Sequence, residues 1–309
     1  MLCDFSKIIG NQGVIRSIKA SVARGHVSHA YIIDGGPGVG KKLLALAFAK
    51  AVMCGNASDG NPCGACASCV TIESGNHPDV AFVQATKKTL GVDDIREQVV
   101  EKTATLPYSS RHRIFIIENA HTMTIPAQNA LLKTLEDGPK YVICFLLSQN
   151  TGAFLPTVLS RCVLYKIPPL SEPEVYGYLT ANGISAEKAK IAAAHANGAI
   201  GRGLALAADD DFAQLRKAVL DAVAVAESRS IADIFGAAKA LEAHKDRIAD
   251  ALDIMLLHYR DILMANNDTS KDAAKKIKHI QDARQKLNRN CNFLLTVEVL
   301  LLKLAGMAS

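Results

Sequence analysis

Tryptophan is absent from the 309-residue chain, and only nine phenylalanines and seven tyrosines carry large aromatic rings. So few do not suggest an aromatic stacking platform for single-stranded nucleic acid. Long apolar runs are missing too, since none reaches the ~18 residues that a membrane span requires. The richest stretch, residues 292–308, is interrupted by Glu298 and Lys303 and reads as a packed helix. No apolar h-region follows Asp4 and Lys7, which argues against a secretory signal. Charge of one sign is also scarce: 35 Lys+Arg against 30 Asp+Glu leave a net +5. Hydrophobic residues at 49% and charged residues at 21% exclude a disordered chain. A soluble, cytoplasmic protein without membrane contact is expected. Its length favours two or three domains, since single cores stop growing near ~250–300 residues.

What the chain does have is unevenly placed. Of its eight cysteines, Cys54, Cys63, Cys66 and Cys69 sit close together, while Cys3, Cys144, Cys162 and Cys291 stand alone. Without an export signal, a disulfide framework is out of place and the cluster points to metal. Four thiolates are the number a closed tetrahedral Zn²⁺ site needs, and Pro62 and Gly64 permit tight turns between them. An iron–sulfur cluster is the rival, but the ferredoxin run asks for Cys-Pro where this chain has Glu73-Ser74. Reduced free thiols and His77 as an alternate ligand are the remaining readings. The zinc expected here is structural, a staple for a surface loop.

Residues 1–168 alternate short apolar runs with helical patterns, the mark of a parallel sheet covered by helices. Strands are expected at 29–34, 80–83, 113–117, 141–147 and 163–167, and helices at 43–52 and 124–135. Ala127, Ala130, Leu131, Thr134 and Leu135 share one side of the second helix. Pro168-Pro169 ends this pattern, because adjacent prolines continue neither helix nor central strand. Helices follow at 172–182, after Ser171 as N-cap, at 186–196, and from about Gly201. Asp209–Asp211 reads as an acidic turn. Beyond it, Ile231, Ile234, Ala238, Leu241, Ile248, Leu252, Met255, Tyr259 and Ile262 recur at steps suited to a helix-bundle core. The expected division is 1–168, with the cysteine insertion at 54–69, then a helical domain at 169–208 and another at 209–309. The positive excess lies in residues 1–168. A later cluster of Lys271, Lys275, Lys276, Lys278, Arg284, Lys286 and Arg289 reads as a solvated helix face, with a phosphate-contacting patch as the alternative.

Gly35-Gly36-Pro37-Gly38-Val39-Gly40-Lys41-Lys42 follows a strand and opens a helix, as a phosphate loop must. Its glycines, Gly35, Gly38 and Gly40 among them, let backbone N–H groups turn toward phosphate oxygens, and Lys41 supplies the cation. The next position should be Ser or Thr, whose hydroxyl holds Mg²⁺. Lys42 stands there, and neither Leu43 nor Leu44 offers a hydroxyl. The acidic strand of such a site is matched by Ile114–Ile117 and Glu118, followed by Asn119-Ala120-His121. Glu118 could face a metal. Asn119 occupies the place of the carboxylate that polarises the attacking water, and it cannot accept a proton. Mg²⁺ is therefore not expected and hydrolysis is argued against, while whether ATP or ADP binds stays open.

These segments together resemble the AAA+ clamp-loader family of the bacterial replicative polymerase, DNA polymerase III, and its delta-prime branch most closely. The resemblance covers roughly residues 1–205. Ile8-Ile9-Gly10-Asn11 is similar to the family's Ile-Ile-Gly-Gln segment beside the base. His29-Ala30-Tyr31 precedes the phosphate loop as in the family, and Asn129–Glu136 resembles its signature helix. Ser148 ends the strand whose polar residue faces the terminal phosphate. Ser160-Arg161-Cys162 matches the motif whose arginine reaches a neighbouring subunit's ATP site, which implies Arg161 as an arginine finger in trans. Gly198-Ala199-Ile200-Gly201-Arg202 is similar to the family's Gly-x-x-Arg with the arginine one place late, so for Arg202 helix-surface charge is the reading preferred.

The resemblance implies an α/β P-loop AAA+ domain, a small helical lid and an all-α collar. The partners implied are gamma/tau ATPase subunits and the delta subunit, with the sliding clamp and primer–template DNA reached through the assembly. The degraded nucleotide site beside an intact Ser-Arg-Cys favours a non-hydrolysing architectural subunit. A gamma/tau-like active ATPase is the alternative, and a stand-alone nucleotide kinase or a direct DNA-binding module stand further off.

Overall fold

The computed structural model describes residues 4–228, 230–265, 270–289 and 291–307. By its contacts the chain divides into two compact units, Met1–Gly203 and Leu204–Ser309, with the division inside the helix Ile200–Ala208.

The first unit is built on a five-stranded parallel sheet: β1 (Ala30–Asp34), β2 (Val80–Val83), β3 (Arg113–Ile117), β4 (Val142–Ser148) and β5 (Val163–Lys166), ordered β2-β3-β4-β1-β5. Strand register places Asp34 at the end of β1 beside Ser148 at the end of β4. Alternate residues feed two cores. Tyr31, Ile33, Ile114, Ile116 and Phe145 face helices Gln12–Ala23 and Lys41–Met53, while Ala30, Ile32, Phe115, Ile117 and Leu146 face Ile125–Asp137. All seven residues of β4 are buried, as expected of a central parallel strand covered on both faces. β5 is an edge strand, with Val163 and Leu164 exposed.

The expected strands all form, within a residue or two of their predicted ends. Thr124 caps the helix Ile125–Asp137 through its side chain, and the predicted apolar side is buried except for half-buried Ala130. Helices at Gln12–Ala23 and Ala67–Glu73, and a helical segment from Val92 to Thr103 containing a π turn at Arg96–Val100, form where none was expected. The same contacts that unite the sheet also include helices Glu172–Ala181 and Ala186–His195 in the first unit. Ser171 and Glu174 close a reciprocal capping box at the start of the former.

The second unit is helical: Asp210–Ser228, Ile231–Glu242, Ile248–Met264, Ser270–Asn288 and Phe293–Leu304. Ile234, Ala238, Leu241, Leu252, Met255 and Tyr259 are buried as the spacing predicts. Ile231 is not; it opens its helix at the first position, where the chain has not yet turned onto the core, and it is 56% exposed. The acidic turn is shorter than expected, because Asp210 and Asp211 belong to the first turn of a helix, where carboxylates meet the positive end of the dipole.

Candidate functional site

The C-terminal ends of β1, β3 and β4 meet on one edge of the sheet, the position where open α/β sheets bind ligands. β1 delivers the phosphate loop, β3 delivers Glu118 and β4 delivers Ser148. Gly38 and Gly40 hold φ of +75° and +92°, values that a side chain would oppose, and Gly40 caps the helix that begins at Lys41. Among the described residues, the N–H groups of Gly38, Val39 and Gly40 donate to no backbone carbonyl. Such N–H groups at a glycine turn are available to an anion. The Lys41 ammonium donates to the carbonyls of Gly35 and Gly36, 2.7 Å each, and burial lowers its pKa against the pull of Asp34.

Lys42 pairs with the carboxylate that follows β3. Its Nζ lies 2.7 Å from Glu118 Oε1 and 4.4 Å from the centroid of the Phe82 ring. Asn119 follows in a left-handed conformation, φ +50°, and starts the short turn Ala120–Thr122. Burial, and then the nearby Lys41, lower the His121 pKa, with Asp34 pulling the other way. His121 Nδ1 and Asp34 Oδ1 are buried and have no hydrogen-bond partner among the described residues. Ser148 is fully buried and its Oγ accepts the Asn150 N–H at 2.9 Å, so this hydroxyl serves the strand-end turn.

The apex of the phosphate loop is covered. The Gly201 N–H donates to the Gly38 carbonyl at 3.2 Å. A β-carbon on Gly38 would lie 3.3 Å from the Arg202 amide nitrogen. Arg202, read from sequence as helix-surface charge, is thus a neighbour of the loop. The family-like segment Gly198–Arg202, with its arginine one place late, left this contact open, because it closes across more than 160 residues.

The four clustered cysteines converge, with all Sγ atoms within 4.8 Å of one another. Tetrahedral zinc with ~2.3 Å bonds to sulfur asks for sulfurs about 3.8 Å apart, so a small contraction closes the shell. Cys66 Sγ already lies 3.9 Å from Cys54 Sγ. Backbone N–H groups of Cys63 and Cys66 point at the sulfurs of Cys54 and Cys63, at 3.2 and 3.4 Å. Such donors stabilise thiolates, and those of Ala65 and Cys66 bring the Cys63 thiol down to about 6. The donor set fits a soft divalent metal and no disulfide joins it.

His77 is not part of this set. It is 5% exposed, its Nδ1 accepts the Asp79 N–H, and its Nε2 faces Ser110 Oγ at 3.1 Å. Asp79, 1% exposed, collects the N–H groups of Tyr108, Ser109 and Ser110 and the Ser109 hydroxyl. The loop so anchored forms one wall of a cleft of about 340 Å³ whose other wall includes Cys54 and Cys66. No sequence motif announces this network.

Arg161 lies one turn past the short helix Pro156–Leu159 and is 35% exposed. Its guanidinium pairs with Glu136 Oε1 at 2.8 Å and donates to the Thr157 carbonyl and Ser160 Oγ. In the second unit, two cations of the basic stretch are engaged: Lys276 with Glu227 and Asp272, and Arg284 with Asp253. The side chain of Lys271, like Cys3, lies outside the described residues.

The family described as "DNA polymerase III, delta subunit" matches residues 10–171. The chain belongs to that family. A DNA polymerase III subunit delta′ from Bacillus subtilis is 28% identical over 320 residues, covering 94% of this chain and 95% of its own length. A subunit tau/gamma from Haemophilus influenzae is 34% identical over 176 residues, 57% of this chain but only 25% of that protein. The delta′ relative is therefore matched end to end, and the tau/gamma relative only in its shared portion. The crystal structure of a gamma subunit-related protein from Thermotoga maritima has the same fold, with a TM-score of 0.55 at 16% identity over 96% of this chain and 99% of that one. The AAA+-type α/β domain with a helical C-terminal region is thus the fold of this delta′-like chain. No described helix is long and apolar enough to cross a membrane.

Proposed function

We propose that the chain is a non-hydrolysing, architectural subunit of the DNA polymerase III clamp loader that lends Arg161 to the ATP site of a neighbouring gamma or tau subunit. The observation that carries the first half is the Lys42–Glu118 ion pair. An ammonium occupies the carboxylate that would hold Mg²⁺, and Asn119 offers no base for water, so two steps of hydrolysis lose their groups together. Support for the second half is the Ser-Arg-Cys segment on an exposed turn, whose guanidinium is held by half-exposed Glu136, the Thr157 carbonyl and Ser160 Oγ, partners from which a phosphate could draw it.

In this reading residues 169–208 serve as the lid and 209–309 as the collar that joins the oligomer. Delta and gamma/tau subunits are direct partners, and the sliding clamp and primer–template DNA are met through the assembly, in the cytoplasm. Cys54, Cys63, Cys66 and Cys69 hold a structural zinc. Its role is to fix the loop between the helices Lys41–Met53 and Ala67–Glu73, away from the nucleotide edge of the sheet.

The test is reconstitution. With wild-type chain, gamma or tau, and delta, Arg161→Ala should leave assembly intact and slow ATP turnover at the adjacent site by ~10³-fold or more. Unchanged DNA-stimulated turnover in the assembled complex rejects the finger. Brisk phosphate release by the purified chain alone in Mg²⁺ rejects the non-hydrolysing role and restores the gamma-like alternative.

A further inference from the structure

The phosphate cradle and the cation place have diverged. The cradle keeps its parts: N–H groups of Gly38, Val39 and Gly40 that donate to no backbone carbonyl among the described residues, Lys41 drawn in by two carbonyls, and the backbone of Gly201 and Arg202 against Gly38. The cation place does not. Mg²⁺ demands near-octahedral oxygen ligands and is reluctant to give up water. The chain presents no hydroxyl at positions 42, 43 or 44, and Glu118 already accepts an ammonium at 2.7 Å. Phe82 fixes that ammonium from a second side. A dication entering there would have to expel Lys42 from both partners.

We infer that this site takes a nucleoside di- or triphosphate in its metal-free form, with the Lys42 ammonium bridging Glu118 and the phosphates where a divalent cation would otherwise sit. The inference deepens the proposed loss of hydrolysis and rests on it. A polyphosphate carries more negative charge than Lys41 alone can meet. Lys42 supplies a second cation, and the start of the helix Lys41–Met53 supplies partial positive charge. Mg²⁺ in solution then competes, because it captures the free nucleotide in a form whose metal has no place in the site.

The experiment is a pair of binding titrations on the full chain, with ADP and with ATP, in EDTA and in millimolar Mg²⁺, read by calorimetry. Both nucleotides should bind at least as tightly in EDTA as in Mg²⁺. Lys42→Thr, which removes the ammonium and restores a hydroxyl, should reverse the preference by about tenfold or more, binding better with Mg²⁺ than without. Wild-type binding that needs Mg²⁺ overturns the inference, and so does a failure of either nucleotide to bind at millimolar concentration. The wild-type comparison decides even if Lys42→Thr misfolds. Arg161→Ala turnover in the assembled complex is independent of this outcome, so failure here leaves the finger standing. Phosphate release by the lone chain would instead sink the loss of hydrolysis on which this inference rests.

Discussion

The cysteine loop and the end of the acidic strand are two places in the first unit that gather potential cation ligands, and their surroundings differ. At the loop, four sulfurs lie within 4.8 Å of one another, and the backbone N–H groups of Cys63 and Cys66 point at two of them. At the strand, a single carboxylate is answered by an ammonium of the same chain. What separates the two places is the neighbour each ligand set has within the chain. The first gathers four sulfurs able to hold an external ion. In the second an ammonium of the chain itself stands beside the carboxylate.

The largest effect that could break this contrast lies at the cysteines. Cys63 is exposed, so as a free thiol its change to serine would be nearly neutral, like most surface substitutions. As a zinc ligand its loss opens a four-coordinate shell. Cys63→Ser is therefore expected to release zinc and lower the thermal midpoint by roughly 10 °C. Metal analysis showing no zinc in the wild type, or an unshifted melting curve in the variant, would make both cation places alike in needing no metal.

A smaller effect belongs to Asp79, which sharpens the contrast by showing a third answer to buried charge. Burial alone would raise its pKa, but the hydrogen bonds from Tyr108, Ser109 and Ser110 outweigh it and leave the carboxyl below its usual range. The folded state therefore prefers the ionised form. This stability is present above the ordinary carboxylate pKa and is lost as pH falls through the lower folded value. Burial likewise lowers the pKa of His77, so protonation there also opposes folding in acid. Asp79→Ala should cost about 3 kcal/mol at neutral pH, since it strands several buried donors. The cost should shrink toward acid, where the wild type loses the same interaction. Denaturant melts at neutral and acidic pH read both. A cost that does not change with pH would show that Asp79 acts by shape alone.

The readable parts of the molecule are those where one residue type has one physical use. Buried runs such as Ile114–Ile117 announce a covered parallel strand, and Cys-x₂-Cys spacing announces a metal-type cluster. The illegible parts join distant residues. Lys42 meets Glu118 across 76 positions, Asp79 meets Ser110 across 31, and the backbone of Arg202 lies against Gly38 across 164. The sequence named Lys42 as wrong for a metal, but only the fold shows which carboxylate it neutralises. The reverse failure occurred at Ile231, where correct periodicity could not tell that the first position of a helix faces outward.

The smallest expected effect is the stability change on Lys42→Ala. Lys42 is 52% exposed and Glu118 22%, and a pair in such contact with solvent contributes no more than about 1 kcal/mol. The Phe82 contact adds at most a similar amount at an exposed position. The variant should therefore melt close to the wild type in low salt and closer still in high salt, because screening weakens the pair. If Lys42→Ala instead lowered stability as far as Cys63→Ser, the ammonium would be a structural counter-ion as indispensable as a metal. The two places would then differ only in where their cation comes from.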